Sequence, residues 1–220
     1  VAEVMGNRIE GRARAEGRFE AGADGALAPR LDIAMQRFRI SAADMPGRPY
    51  VQGNDLRLAL NAGGVDTLRD TLRARLRFAD AKVPDLRVYN RYLPNEQLRI
   101  DGGSGTLGGD LQLDAAGEVG SGWVRVAGRD ARLRMGGVAL RGNVGVNLRL
   151  RRADLAKRSF AVDGSDIRLD GVSFALRGSE TRSGWSAQVK LPRARLEWRK
   201  PLAVGGDAQV AVKDVGFLLA

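Results

Sequence analysis

Apolar and polar residues alternate along most of this 220-residue chain. Successive side chains of a β-strand point to opposite faces, so a period of two predicts strands with one apolar face and one polar face. The alternation is clearest in residues 56–61, 73–78, 132–135, 144–151, 167–170 and 209–213, and it is weaker in 8–20, 31–40, 98–101 and 186–198. The pattern therefore predicts an all-β fold.

Glycine-rich pairs punctuate these runs and predict turns between strands. The segment 130–142 also resembles 166–178, which indicates a sheet that grows by adding hairpins. The predicted turns are Gly22–Gly25, Gly63–Gly64, Gly102–Gly103, Gly136–Gly137, Asp163–Gly164, Asp170–Gly171 and Gly205–Asp207. We predict one long, twisted, mostly antiparallel sheet of repeated hairpins with roughly twelve strands, and its curvature into a half-pipe groove is left open.

One short helix is predicted near residues 84–93. Pro84 suits the first helical position, Asp85 suits a helix N-terminus, Leu86 and Tyr89 share a face, and Pro94 stops the helix. The stretch 65–72 fits either a helical turn or a loop. We expect residues 1–220 to form one β-rich segment of a longer protein, with a sub-boundary at 83–97.

The composition restricts the chemistry that this chain can perform. It contains neither cysteine nor histidine, so disulfides, thiol nucleophiles, Cys/His metal sites and imidazole acid–base catalysis are excluded. The aspartates lie beside predicted turns, where capping and solvation explain them. A G-x-G-x-x-G match at residues 103–108 is followed by strand-like alternation rather than by a helix, so we interpret it as a hairpin turn and not as a dinucleotide site. We predict that the chain is not an enzyme and needs no cofactor.

The net charge is +10, and only five of the 36 basic residues are lysine. An arginine-rich surface can bind phosphate groups, but it also suits a solvated outer face that opposes aggregation at sheet edges. Aromatic residues are too few among the basic residues to stack bases, so no nucleic acid partner is expected.

The apolar rows need a cover, which another sheet, the curled sheet itself or an apolar ligand could provide. Aliphatic rows with few aromatic residues suit flexible acyl chains, and each buried CH₂ contributes about 0.8 kcal/mol. The candidate lipid-binding residues are the apolar positions of the clearest strands: Leu111, Leu113, Val124, Val126, Leu133, Met135, Val144, Val146, Leu148, Ile167, Leu169, Val210 and Val212. We expect arginines near a bound lipid to pair with its phosphate.

The chain resembles the AsmA-like bacterial envelope proteins, a group that includes TamB-like and YdbH-like members. The resemblance is carried by residues 78–94, a strand that leads into a short helix ending in Tyr-Leu-Pro, by the Gly-rich segment 103–113, and by the Gly-x-Val-x-Val-x-Leu pattern of 142–148. It implies an apolar β-sheet groove that binds or conducts phospholipid between the inner and outer membranes. It also implies a location on the periplasmic face, with an inner-membrane anchor outside this chain.

Two other functions fit the same residues. The first is a structural or assembly module with a closed β core, whose sheet edges bind envelope proteins. The second is a basic nucleic-acid-binding domain, which would show a steep dependence of binding on salt.

Overall fold

One antiparallel sheet accounts for most of the chain, which confirms the predicted all-β class. The computed structural model describes residues 1–4, 6–21, 27–93, 98–114, 118–154, 157–175, 181–197 and 203–213. Its elements are β1 (Ala2–Val4), β2 (Asn7–Ala21), β3 (Leu27–Ala42), β4 (Pro49–Gly53), β5 (Leu56–Asn61), α1 (Leu68–Thr71), β6 (Arg73–Val83), a 3₁₀ helix (Leu86–Tyr92), β7 (Leu98–Asp114), β8 (Glu118–Met135), β9 (Val138–Asp154), β10 (Ser159–Ala175), β11 (Arg182–Glu197) and β12 (Ala203–Val212).

The twelve strands lie in the sheet almost in chain order. Strands β4 and β5 share one position: β4 pairs with β3 and β6 at one end, and β5 pairs with both along the rest. At a spacing of about 4.8 Å the eleven positions span roughly 50 Å. The path ends at β1 and β12, which do not pair with each other in the described residues, so the sheet is open.

Shifts in strand register fall on lines that cross neighbouring strands. One line runs through Gly11, Arg37 and Asp80, where the β2–β3 and β6–β7 ladders change register. Arg37 and Asp80 have φ angles of 51° and 50°. A bulge inserts one residue and bends its strand, so these aligned bulges favour a local bend of the sheet.

A second line of bulges runs through Gly103, Asp130 and Gly171. Gly103 has a φ of 110°, and a Cβ atom there would lie 2.8 Å from the Cα atom of Ala131, so only glycine fits. Each bulge adds one residue, so the alternation along the chain shifts by one position there. Apolar side chains therefore stay on the same face of the sheet on both sides of the bulge.

These bulges correct several predicted turns. Gly136–Gly137 does join β8 to β9, and Gly63–Gly64 lies between β5 and α1. The segments Gly102–Gly103, Asp163–Gly164, Asp170–Gly171 and Gly205–Asp207 lie inside strands, and so does the 103–108 motif. Glycine inside a strand marks a bulge or a close approach as readily as a turn. The predicted Gly22–Gly25 turn lies outside the described residues.

The predicted internal repeat has no structural counterpart. Its first copy runs from β8 through the Gly136–Gly137 turn into β9. The described part of its second copy, residues 166–175, lies within the single strand β10. The likeness between the two copies is therefore one of strand composition only.

The predicted helix is present as a 3₁₀ helix over Leu86–Tyr92. Pro84 does not take the first helical position: Asp85 is the extended N-cap residue, and its carboxylate accepts a hydrogen bond from the Arg87 amide at 2.9 Å. The stretch 65–72, which by sequence fits either a helical turn or a loop, contains the single helical turn α1. Strands β6 and β7, which flank the predicted sub-boundary at 83–97, pair with each other, so the sheet continues across it.

The chain buries little of its surface for its size. Its accessible area is 14474 Å², whereas a compact monomer of 23.7 kDa exposes about 9,800 Å². The largest buried cluster contains Phe38, Tyr50, Val51 and Leu56 from β3, β4 and β5, together with Ala81 of β6. The excess area fits one extended layer rather than two packed layers.

Candidate functional site

The thirteen predicted lipid-binding residues all lie on one face of the sheet, here called the apolar face. Residues directly opposite each other in neighbouring strands share a face. Val126 lies opposite Val146, and Val146 lies opposite Ile167. The other ten are placed by the pairs Leu111–Leu76, Leu113–Ala74, Val124–Leu148, Leu133–Leu140, Met135–Val138, Leu169–Val144, Val210–Val189 and Val212–Ala187.

The longest aliphatic row crosses the sheet from β7 to β12. It consists of Leu107, Val126, Val146, Ile167, Val189 and Val210, each opposite the next. Six adjacent strands place the ends of this row about 24 Å apart. The row forms an aliphatic stripe perpendicular to the strands.

None of the thirteen residues is buried. Eleven are half-buried, while Met135 and Val210 are 52% and 66% exposed. A second layer packed on this face would bury such side chains. Within the described residues, this part of the apolar face therefore lacks a second packed layer, except where Val144 packs against the buried cluster that contains Leu86.

The 3₁₀ helix covers the apolar face at one end. Leu86 of the helix packs with Val83 and Ala131 in a buried cluster, and its Cδ1 atom lies 3.4 Å from the position that a Cβ atom would take at Gly128. Val144 packs against the edge of this cluster. The covered region ends where the half-buried rows begin.

Specific hydrogen bonds fix the helix on the sheet. The Asn90 side-chain amide donates to the carbonyl of Ile100, and the Ile100 amide donates back to the Asn90 carbonyl oxygen, both at 2.8 Å. Tyr89 donates from its hydroxyl to the carbonyl of Tyr50 at 3.1 Å. Side-chain hydrogen bonding to Arg87 holds the pKa of Asp85 below its ordinary value, although partial burial opposes this shift.

Several further residues lie on the same face but are not among the thirteen predicted ones. Leu76, Leu107, Leu150 and Val189 are half-buried and continue the apolar rows. Leu76 and Leu150 belong to alternating runs and could have been chosen from that signal. Leu107 lies beside glycines in the 103–108 segment. The sequence pattern predicts a turn there, but the segment is part of strand β7.

The opposite face, here called the polar face, carries networks of arginine and aspartate. Arg75 donates two hydrogen bonds to the Asp110 carboxylate, at 2.9 and 2.8 Å, and Arg77 lies 3.3 Å from it. The hydrogen bond from Arg75 is the main reason that the pKa of Asp110 lies below its ordinary value. These arginines point away from the apolar rows, so a lipid headgroup on the apolar face can reach them only around a sheet edge.

The described residues contain neither a candidate metal cluster nor a candidate membrane-spanning helix. No three acidic side chains among them are grouped so as to hold a metal ion. No helix in this part of the chain is long and apolar enough to cross a membrane.

Comparison with known proteins found no matching family model, no matching curated protein and no matching solved structure.

Proposed function

We propose that this chain is a non-catalytic segment that binds the acyl chains of phospholipid along its apolar face. The observation that carries the proposal is the exposure of aliphatic rows across β7–β12 without a second packed layer in the described residues. The hydrophobic effect makes such a surface costly in water, and large exposed apolar patches mark binding sites.

The chemistry of the rows fits acyl chains better than a ligand with fixed polar groups. Val126, Val146 and Ile167 offer only hydrocarbon, and their half-buried state leaves room for further contacts. Each ligand CH₂ buried there contributes about 0.8 kcal/mol. Binding would depend on chain length and would be passive.

The 3₁₀ helix gives the proposed groove a closed end. Leu86 and Tyr89 occupy the apolar face beside Leu107 and Val144, so acyl chains would lie on the uncovered side of the helix. Headgroups would then face solvent at an open edge of the sheet.

The proposed cellular setting rests on the resemblance to AsmA-like proteins. It is the periplasmic face of a bacterial envelope, where the chain would bind or conduct phospholipid between the inner and outer membranes. The anchor would lie outside this chain.

A partner protein is the second candidate for covering the apolar face. The edge strand β12 exposes Val204 by 55% and Val210 by 66%, and an unpaired strand edge can accept a strand from another chain. In that case the chain acts as an assembly module, and the partner completes the core.

Native mass spectrometry of detergent-free protein, combined with lipid extraction, tests the lipid proposal. We expect co-purified phospholipid in the wild type and its loss in the double variant Val146→Asp and Leu148→Asp. The matched control is Ala127→Asp and Ala139→Asp, which adds the same charge at exposed positions of the polar face. Circular dichroism verifies that both variants keep their strands.

A lipid-free wild type that is a stable, folded monomer would reject the lipid proposal. Equal lipid loss in both double variants would reject the assignment to the apolar face. Lipid-free protein that co-purifies with one defined protein would support the assembly module.

A further inference from the structure

We infer that the polar face carries a second, separate site, which binds the phosphate group of an anionic ligand between Arg125 and Arg149. A surface cavity of about 510 Å³ lies on this face across β6 to β9. Its lining includes both arginines, Trp123, Asn147, Gln112 and Arg75, together with the acidic residue Asp110. The site faces away from the apolar rows, so it is independent of the proposed acyl-chain binding.

The strand register brings the two arginines together. Trp123 lies opposite Arg149, and Arg125 lies opposite Asn147. The four residues form a square on one face, with Arg125 and Arg149 on its diagonal. Diagonal neighbours in an antiparallel pair have Cβ atoms about 7–8 Å apart, a separation at which two long guanidinium side chains can contact the same phosphate.

The nearby carboxylates already have partners. Asp110 is held by Arg75 and Arg77. Asp166 is held by Arg168 at 2.9 Å and accepts a hydrogen bond from Asn147 at 3.3 Å. In the described part of the chain, neither Arg125 nor Arg149 forms an ion pair with any carboxylate. The cavity therefore contains two exposed cations whose charge no neighbouring carboxylate balances.

Trp123 restricts where Arg125 can point. The guanidinium carbon of Arg125 lies 5.4 Å from the centre of the Trp123 ring, a distance at which the cation is attracted to the aromatic face. Gly108, opposite Arg125, has no side chain, and the indole ring lies beside it. A guanidinium that is partly ordered before binding loses less side-chain entropy when it binds an anion.

Phosphate is the anion that this arrangement favours. Guanidinium groups match phosphate with paired hydrogen bonds, and the amides of Asn147 and Gln112 line the same cavity and can donate to further oxygens. The phosphate could belong to a soluble monoester or to an anionic lipid headgroup at a membrane surface.

Two probes distinguish these sources. Titration of glycerol phosphate, followed by the Arg Nε–H and Trp indole N–H signals in NMR spectra, reports on a soluble ligand. Flotation with vesicles of phosphatidylcholine, with or without phosphatidylglycerol, reports on a headgroup at a surface. Both experiments use the whole chain at low salt, because exposed charge pairs are screened by ions.

The variant Arg125→Gln with Arg149→Gln should weaken the binding of whichever probe binds by about tenfold or more. The control Arg14→Gln with Arg39→Gln removes the same charge from exposed positions on β2 and β3. We expect the control to bind within about twofold of the wild type, because non-specific attraction to net charge is the smaller effect.

Glycerol phosphate binding that only the Arg125/Arg149 variant loses would support a soluble ligand. Vesicle binding that depends on phosphatidylglycerol and is lost only in that variant would support a headgroup. No binding of either probe, or equal losses in variant and control, would overturn the site. Changes in lipid extraction from the apolar face do not bear on these outcomes.

Discussion

The apolar face is completed by the chain itself at one end and left uncovered along its middle. At the covered end, Phe38 and Val83 are 2% and 1% exposed, and the 3₁₀ helix packs beside Val83. Along the middle, Val126 and Val146 belong to equally apolar strands but remain half-buried. A helix covers the buried residues at the first end, whereas Val162, Leu191 and Ala194 form a further buried cluster within β10 and β11. Rows between these clusters remain accessible.

The two regions therefore contribute differently to the stability of the fold. Residues of the covered end contribute their full burial energy to folding, whereas residues of the uncovered rows contribute only part of it. The remainder would become available if, as proposed, a ligand or partner covers the rows. Substitutions at matched positions in the two regions measure this difference.

Phe38→Ala should give the largest loss of stability. Phe38 packs among Tyr50, Val51 and Ala81, and removal of a buried phenyl ring costs about 3–5 kcal/mol. Phe19→Ala is the control, because Phe19 is 66% exposed on β2, and its effect should stay within about 0.5 kcal/mol. Urea denaturation measures both, and similar losses would contradict the assignment of the core to the covered end.

Val83→Ala and Val146→Ala make the same chemical change in the two regions. We expect a loss of about 2 kcal/mol at Val83 and less than about 1 kcal/mol at Val146 in lipid-free protein. If acyl chains cover the rows, added lipid should enlarge the Val146 effect and leave that of Val83 unchanged. An equal effect of lipid at both positions would argue against cover by lipid.

Asn90→Ala should loosen the cover without removing any of its apolar residues. The substitution leaves the amide and the carbonyl of Ile100 without their side-chain partner, which costs about 1–2 kcal/mol. Hydrogen exchange should increase at Ile100 and in the 3₁₀ helix while β10 stays protected. Asn54→Ala, at an exposed position between β4 and β5, serves as the control, and an unchanged Ile100 amide in Asn90→Ala would contradict this role.

Asp85→Ala should have the smallest effect, about 1 kcal/mol for a lost N-cap. The folded-state pKa of Asp85 lies below the ordinary value of 3.8, so the ionised carboxylate stabilises the folded chain. That contribution is complete above pH 3.8 and is lost as pH falls through the lowered pKa.

Asp85→Asn distinguishes the cap from the charge, because asparagine still accepts the Arg87 amide hydrogen bond. We expect this variant to keep most of the stability and to lose the acid dependence. Denaturation curves at neutral and acidic pH measure both effects. A wild type and an Asp85→Ala variant that lose stability in parallel as pH falls would contradict a lowered pKa at Asp85.

Local pattern was sufficient for the fold class and for the apolar face. The alternation at 144–151 placed Val144, Val146 and Leu148 on one side, and the observed ladders keep them there. It was insufficient at glycine pairs, because glycine suits both turns and bulges. Gly103 and Gly171 were assigned to turns, but they lie in bulges inside long strands.

The two proposed sites differ in how much of each can be predicted from the sequence. The proposed acyl-binding rows follow from the period of two, which any single strand displays. The pairing of Arg125 with Arg149 depends on register between β8 and β9, which the spacing along the chain does not reveal. The arginines that neutralise Asp110 likewise come from the neighbouring strand β6, whereas Asp166 is paired with Arg168, two residues further along the same strand.

The sequence by itself determined that this chain forms strands, that each strand has an apolar and an arginine-bearing side, and that a short capped helix interrupts them, because these are local properties of side-chain period and backbone preference. Only the tertiary structure decided which part of the apolar face is covered. The helix docks through Asn90 on Ile100 and through Tyr89 on Tyr50, and contacts between such distant residues depend on how the strands align.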